Sequence, residues 1–208
     1  AIRTDYLSSS SYNPYTLYEK AGIWPSQFSC NASLTTSNLI SAIDTGAFMV
    51  NMAGHGSSTG IYRKVWNVDS NGNKLCDSGE TSDYAYYTTS ASQTNGGKKP
   101  FFYNDACNNG EFDRTTCLTE DILLDVGIGA VGSARVSYYS KPWAKGSDGG
   151  WYNQGHDYRF WQQFFTNSQQ PGKALALSKY DYIQDKTAHD FYCWKNLLQY
   201  NLMGDPEI

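Results

Sequence analysis

Apolar positions along this chain fall into two alternating kinds of run. Mainly apolar runs of strand length at 47–52, 101–104 and 128–136 each end in small or turn-forming residues. Between them, 34–46, 118–126, 173–183 and 189–199 carry apolar side chains at helical spacing, as do Phe160, Trp161, Phe164 and Phe165 after Tyr158. Ser and Thr are available to cap the first helix and Gly46 to stop it, while Gly127 stops the second. Strands apolar on both faces, separated by helices, predict a parallel, doubly wound sheet. A short strand at 200–203 closes the chain, and 1–33, rich in Ser, Tyr, Asn and Pro, reads as irregular surface chain.

The 208 residues suit one domain, 1–208, able to bury its own core. No repeat, low-complexity tract or linker divides it. A net charge of −4 without a basic cluster disfavours a nucleic-acid partner. Charged residues are 17% while Ser, Thr, Asn, Gly and 17 Tyr abound, a polar but non-ionic surface that points to an extracellular or cell-surface protein. No apolar run reaches the ~18 residues that cross a bilayer, and an exported form would already have lost its signal before Ala1. Five cysteines are an odd number. If Cys107 is a free nucleophile, Cys30, Cys76, Cys117 and Cys193 can form two disulfides; otherwise all five are reduced thiols. Asn31-Ala-Ser33 is a glycosylation sequon.

The connection from 56 to 99 is long for a compact domain, and an insertion at about 63–97 holds a candidate metal loop. Asp69, Asn71, Asn73, Asp77 and Glu80 stand at positions 1, 3, 5, 9 and 12 of a twelve-residue loop, with the Leu75 carbonyl at position 7. This is the EF-hand register, in which alternate side chains and one carbonyl surround a Ca²⁺ ion with oxygens. Position 6, normally Gly, is Lys74, and no long amphipathic helices flank the loop. The expected role is therefore a structural clip and not a calcium sensor.

Two strand ends carry reactive side chains. The 47–52 run leads into Gly-His55-Gly-Ser, and the 101–104 run into Asp-Ala-Cys107-Asn-Asn-Gly-Glu-Phe. Ligands of parallel sheets bind where strand C-termini meet loops, so a thiol and an imidazole delivered there can form a nucleophile and its acid–base partner. Ser57 and Ser58 lack the strand-to-helix elbow of serine hydrolases.

These two motifs, with the closing Asn201-Leu-Met-Gly-Asp-Pro206, resemble the gingipain family of cysteine peptidases in the caspase-like clan, over roughly 34–206. The resemblance implies an α/β, caspase-like three-layer sandwich whose mostly parallel sheet is flanked by helices. It implies a secreted cysteine endopeptidase in which Cys107 attacks the scissile carbonyl and His55 serves as general acid and base. The Gly56 and Cys107 N–H groups would hold the oxyanion. Trp143 follows the strand after Cys107 at about the distance of the family's pocket tryptophan. Asp148 is the nearest acid for a basic substrate side chain, although Gly146 occupies the expected region. Caspase-like domains place further strands, and an acid that orients the His, before the His-bearing strand. With 1–33 lacking strands, the sheet is expected to be incomplete at its N-terminal side and to need an N-terminal remainder, as precursor or separate chain. The partners implied are that remainder and a protein or peptide substrate. The alternative from another class is a catalytically silent, calcium-stabilised module of a cell-surface assembly.

Overall fold

The structure, a computed structural model, describes residues 1–8, 11–91, 97–139, 152–184 and 190–208. A π-helical turn at Arg3–Leu7 and two paired two-residue strands, β1 (Leu17–Tyr18) and β2 (Ala32–Ser33), are the regular parts of the irregular N-terminal stretch. Helix α1 (Thr36–Asp44) is capped by Thr35, whose Oγ1 accepts from the Asn38 N–H, and ends at Gly46, which adopts φ +100°. It feeds strand β3 (Met49–Ala53).

The long connection that follows is a second sheet. Strands β4 (His55–Ser57), β5 (Gly60–Trp66) and β6 (Thr81–Thr88) pair antiparallel in that order, and the candidate metal loop joins β5 to β6. The chain then returns to the central sheet through β7 (Phe101–Asp105). Helix α2 (Leu118–Asp121) passes into a π-helical turn at Ile122–Val126, closed by the Gly127 N–H on the Ile122 carbonyl, and leads into β8 (Gly129–Ser133). Helix α3 (Asn153–Trp161) begins five residues before the expected Tyr158. Helix α4 (Pro171–Gln184) starts on the proline read as a break, since Pro lacks only an N–H that a first turn leaves unbonded. Helix α5 (Phe191–Gln199), capped by Asp190 on the Cys193 N–H, runs into β9 (Tyr200–Gly204).

The central sheet has the order β3-β7-β8-β9; the first three strands are parallel and β9 runs against β8. All five residues of β7 are buried, as a central strand covered on both faces requires. One face packs Val50, Met52 and Phe102 against Leu39 and Ile43 of α1, Leu118 and Ile122 of the α2 region, and Ile61, Tyr86 and Tyr87 of the second sheet. The other packs Phe101, Tyr103 and Val131 against Phe160 and Trp161 of α3 and Ala174 and Leu175 of α4. The layers are thus helices, sheet, helices. Among the described residues β3 is the outermost strand on its side, with Asn51 and Ala53 exposed and Phe48 59% exposed.

The two expected disulfides are absent: all five cysteines are free thiols. Cys117, at the start of α2, and Cys193, in α5 beside Tyr182 and Leu197, are fully buried as small apolar side chains, whereas Cys76 is exposed on the β5–β6 loop.

Candidate active site

Strands β3 and β7 pair in parallel with Ala53 opposite Asp105, so both chains leave the sheet at one end. Past β3 the Gly54 N–H donates to the Asp105 carbonyl at 3.1 Å. Gly56 then lies against Cys107: a Cβ there would stand 2.1 Å from the Cys107 carbonyl oxygen and 2.6 Å from its nitrogen. Only glycine lets the two backbones meet this closely. His55, between the two glycines, is exposed, and its ring meets the Tyr139 ring edge-on with centroids 6.2 Å apart. Cys107 is half-buried; its thiol donates to the Ser137 carbonyl at 3.3 Å, and the Ser137 hydroxyl donates to its sulfur at 3.6 Å. The segment 137–139, just past β8, therefore touches both the sulfur and the imidazole.

What fixes the Cys107 loop was not read from the sequence. Asn108 takes a left-handed φ of +57°, a conformation Asn tolerates, and its N–H donates to the Arg135 carbonyl. Asn109, fully buried, donates from Nδ2 to the Ala106 carbonyl at 2.9 Å and accepts the Ser133 N–H on Oδ1 at 3.1 Å. The Thr119 hydroxyl and N–H both donate to its carbonyl. One amide thus ties the residue before the thiol to the end of β8. The available signal was a pair of asparagines directly after Cys107, polar residues that a reactive loop uses for turns and anchoring.

The sequence profile of peptidase family C25 matches residues 2–208. The chain belongs to this gingipain family of cysteine peptidases. Solved structures agree on the fold. The Arg-specific cysteine proteinase gingipain R is similar with a TM-score of 0.60 and 18% identity over 84% of this chain and 36% of that one. The complex of Porphyromonas gingivalis RgpB pro- and mature domains is similar with a TM-score of 0.59 and 17% identity, over 86% and 40%. The caspase-like α/β fold expected above is thereby shown, and this chain spans less than half the length of those two. No curated protein matches it.

In this C25 chain the expected pocket residues Trp143 and Asp148 lie outside the described residues. The aromatic ring found beside the candidate dyad is that of Tyr139, 48% exposed.

Beneath Cys107, on the α3 face of the sheet, lies a polar layer that is buried except for Asn51 at its edge. The Tyr200 hydroxyl donates to Asp105 Oδ1 at 3.1 Å, Asn51 Nδ2 donates to Asp157 Oδ2 at 3.1 Å, and the Tyr103 hydroxyl pairs with His156 Nδ1 at 3.1 Å. Burial pushes the Asp105 carboxyl up to about 7 and raises Asp157 well above the carboxylate range, the neighbouring acid adding to the latter. Burial likewise lowers His156 to about 3, with Lys179 and Arg159 adding to it, so its imidazole is neutral.

The candidate metal loop has the backbone of a cation loop. Lys74, at position 6, adopts φ +59° and its N–H donates to Asp69 Oδ2 at 3.0 Å; Asn71 and Asn73 each accept the N–H two residues on. Asp69 Oδ1 is buried and without a hydrogen-bond partner. The remaining ligands are engaged with one another. Asp77 accepts from the amides of Asn71 and Asn73, and buried Glu80 accepts from the Ser70 and Asp77 N–H groups and the Trp66 indole, contacts that hold its carboxyl below the usual range. No group of three His, Cys, Asp or Glu side chains is gathered around one point among the described residues. The backbone and the orphaned Asp69 oxygen fit Ca²⁺; the two Asn amides, pointing N–H groups at Asp77, would have to turn.

Proposed function

We propose that this chain carries the nucleophile and the general acid–base of a secreted thiol endopeptidase. The observation that supports it is the Gly56–Cys107 contact, which joins the His-bearing and Cys-bearing strand ends at one edge of the sheet. In this reading the Cys107 sulfur, ionised by transfer of its proton to His55, attacks the scissile carbonyl carbon. The C–S bond forms, and the oxyanion is held by the Gly56 and Cys107 N–H groups. Collapse breaks the C–N bond while the His55 imidazolium gives its proton to the departing amine. His55 then takes a proton from water, whose oxygen displaces the sulfur from the thioester, releasing the carboxylate product and restoring the thiol.

The substrate is an extended peptide, cleaved after a basic residue whose aliphatic stem and cation stack on Tyr139, with Trp143 and Asp148 the further candidates for that pocket. An N-terminal remainder completes the sheet along the open edge of β3, a role supported by the exposure of Phe48 and the partial coverage of the gingipain structures. Ca²⁺ bound through Asp69, Asn71, Asn73, Leu75, Asp77 and Glu80 stiffens the β5–β6 hairpin. An extracellular or cell-surface setting is supported by the weakly charged, polar composition. No described helix is long and apolar enough to cross a membrane.

The test is covalent labelling of the full-length protein with a peptidyl acyloxymethyl ketone bearing Arg, Lys or Leu at the reactive position. Labelling that vanishes in Cys107→Ala and falls in His55→Ala, fastest for the basic probes, is expected. Absence of Cys107-dependent labelling by any probe would leave the silent cell-surface module instead.

A further inference from the structure

One buried side chain that the mechanism above does not use fixes the segment touching both reactive groups. Asn196 of α5, fully buried, holds both polar groups of the Tyr138 backbone. Its Oδ1 accepts the Tyr138 N–H at 2.9 Å, and its Nδ2 donates to the Tyr138 carbonyl at 2.7 Å. The Asn153 N–H, at the start of α3, donates to the same carbonyl at 2.9 Å, and the Tyr192 ring lies 4.4 Å from the Tyr138 ring. With Tyr138 pinned, its two neighbours are aimed. Ser137, 5% exposed, accepts the Cys107 thiol on its carbonyl at 3.3 Å and donates its hydroxyl to the same sulfur at 3.6 Å. Tyr139 sets its ring edge-on against His55.

A thiol has one hydrogen to give, and here the Ser137 carbonyl takes it. No hydrogen bond joins Cys107 to His55 among the described residues. A carbonyl can only accept, so this contact favours the thiol and turns repulsive for the thiolate, which is the attacking form. The backbone shows what else the carbonyl can take. Residues 133–137 run antiparallel to the loop after Cys107, with the Gly110 N–H on the Ser133 carbonyl and the Asn108 N–H on the Arg135 carbonyl. The next carbonyl in that series is Ser137, and among the described residues it meets no backbone N–H. The thiol stands where an N–H would complete the ladder, and an extended peptide brought to the sulfur carries one.

We propose that residues 137–139, fixed by Asn196, are a catch that keeps the Cys107 hydrogen on sulfur in the empty site and releases it to His55 when a peptide N–H takes the Ser137 carbonyl. The inference rests on the reading of Cys107 as nucleophile and adds what triggers it. On binding, the Ser137 oxygen exchanges the S–H for the peptide N–H. The hydrogen passes from Sγ to an imidazole nitrogen of His55, the electron pair stays on sulfur, and the Ser137 hydroxyl goes on donating to the thiolate. Asn196 is a positioning residue that acts through Ser137 and Tyr139. Because Tyr139 also offers its ring to the substrate side chain, one peptide engages both ends of the catch.

The experiment compares two reagents on the full-length protein at pH 7, read by mass spectrometry at the Cys107 peptide, with exposed Cys76 as the reference in the same sample. Methyl methanethiosulfonate is small and has no N–H; it should modify Cys107 no faster than Cys76, with less than about a twofold change in His55→Ala. A peptidyl acyloxymethyl ketone ending in Arg should label Cys107 in a His55-dependent way. Methylating the nitrogen of that Arg should slow labelling at least about tenfold, and methylating the preceding nitrogen less than about threefold. Asn196→Ala should slow the peptidyl probe by about 10–100-fold and speed the small reagent, opposite shifts that a general loss of structure does not produce. The methylated probes test the catch without any substitution, so it stays falsifiable if that variant fails to fold. Modification of the empty wild type more than about tenfold faster than Cys76 and lost in His55→Ala would reveal a preformed ion pair and overturn the catch, leaving the peptidase reading standing. Equal labelling by the two methylated probes would overturn it as well, and unchanged rates for both reagents in Asn196→Ala would remove Asn196 from it. Absence of Cys107-dependent labelling by any peptidyl probe would overturn the peptidase reading and the catch together.

Discussion

Asp105 should cost this protein stability at neutral pH, and Asp105→Asn should recover it. The carboxyl is fully buried, and its affinity for a proton rises from the ordinary 3.8 to about 7 because burial penalises the charge, only partly offset by the Tyr200 hydroxyl. The sign follows from proton counting. Between about pH 4 and pH 7 the folded state keeps a proton that the unfolded chain has released, so stability falls as pH rises through that window and is level above it. Three units at 1.36 kcal/mol each give about 4 kcal/mol. Asp157, also raised by burial and by the like charge of Asp105, moves in the same sense and is relieved by the same substitution. His156 works against both: burial holds it neutral down to about 3, so it destabilises the fold as pH drops below the imidazole range. The wild-type pH profile therefore mixes opposing contributions, and the informative quantity is the difference between variant and wild type. Urea unfolding should show Asp105→Asn more stable by up to about 4 kcal/mol at about pH 8 and nearly equal at about pH 4. An equal difference at both pH values, or a less stable variant at pH 8, would refute the view of Asp105 as a buried, uncompensated acid.

Gly56→Ala puts a methyl carbon 2.1 Å from the Cys107 carbonyl oxygen, so peptide turnover should fall at least about 100-fold through loss of site geometry while circular dichroism stays native. Asn109→Ala removes the side chain that joins the Ala106 carbonyl to the Ser133 N–H and should cost about 2–3 kcal/mol in denaturant unfolding. Ca²⁺ at about 100 times its dissociation constant should add about 2.7 kcal/mol, a rise of roughly 5–10 °C in melting temperature; no change in EGTA, or an equal rise in Glu80→Gln, would remove calcium from the loop.

The parallel strands and their helices were legible because they bury long apolar runs on both faces, a demand made by the layer and not by distant partners. The second sheet was not. In β6 the first five residues are not buried and in β5 polar residues interrupt the run, so neither shows a two-residue period strong enough to displace the loop reading. Its strands are defined by pairing with each other, β5 and β6 across their connecting loop. Strand β8 was expected to reach 136 and ends at Ser133, which moves the residues beside the sulfur back to 137–139. Tyr139 is the described ring against His55, whereas Trp143, singled out by resemblance to the family's pocket tryptophan, lies outside the described residues. Asn109, Ser137, Tyr200 and Asp105 escaped for a common reason: each is a polar residue whose partner lies 3 to 95 positions away, and only the closed sheet brings them together.

The two candidate reactive groups belong to different sheets. Cys107 follows a strand of the parallel sheet, but His55 opens the antiparallel one, and Gly54 and Gly56 are the joint between them. The second sheet is tied down near that joint by the Tyr86 hydroxyl on the Ala53 carbonyl and by the Leu118 N–H on the Ser58 carbonyl at 2.7 Å. Residues 1–33 hold its far end, through the Ile23 N–H on the Trp66 carbonyl and the Arg63–Glu19 ion pair. The β5–β6 loop closes the same far end. The sulfur is thus positioned by the core of the domain, whereas the imidazole is positioned by an inserted hairpin whose rigidity depends on its own clamps. The candidate dyad therefore has one member fixed by folding of the central sheet and one held by the clamps of the inserted hairpin.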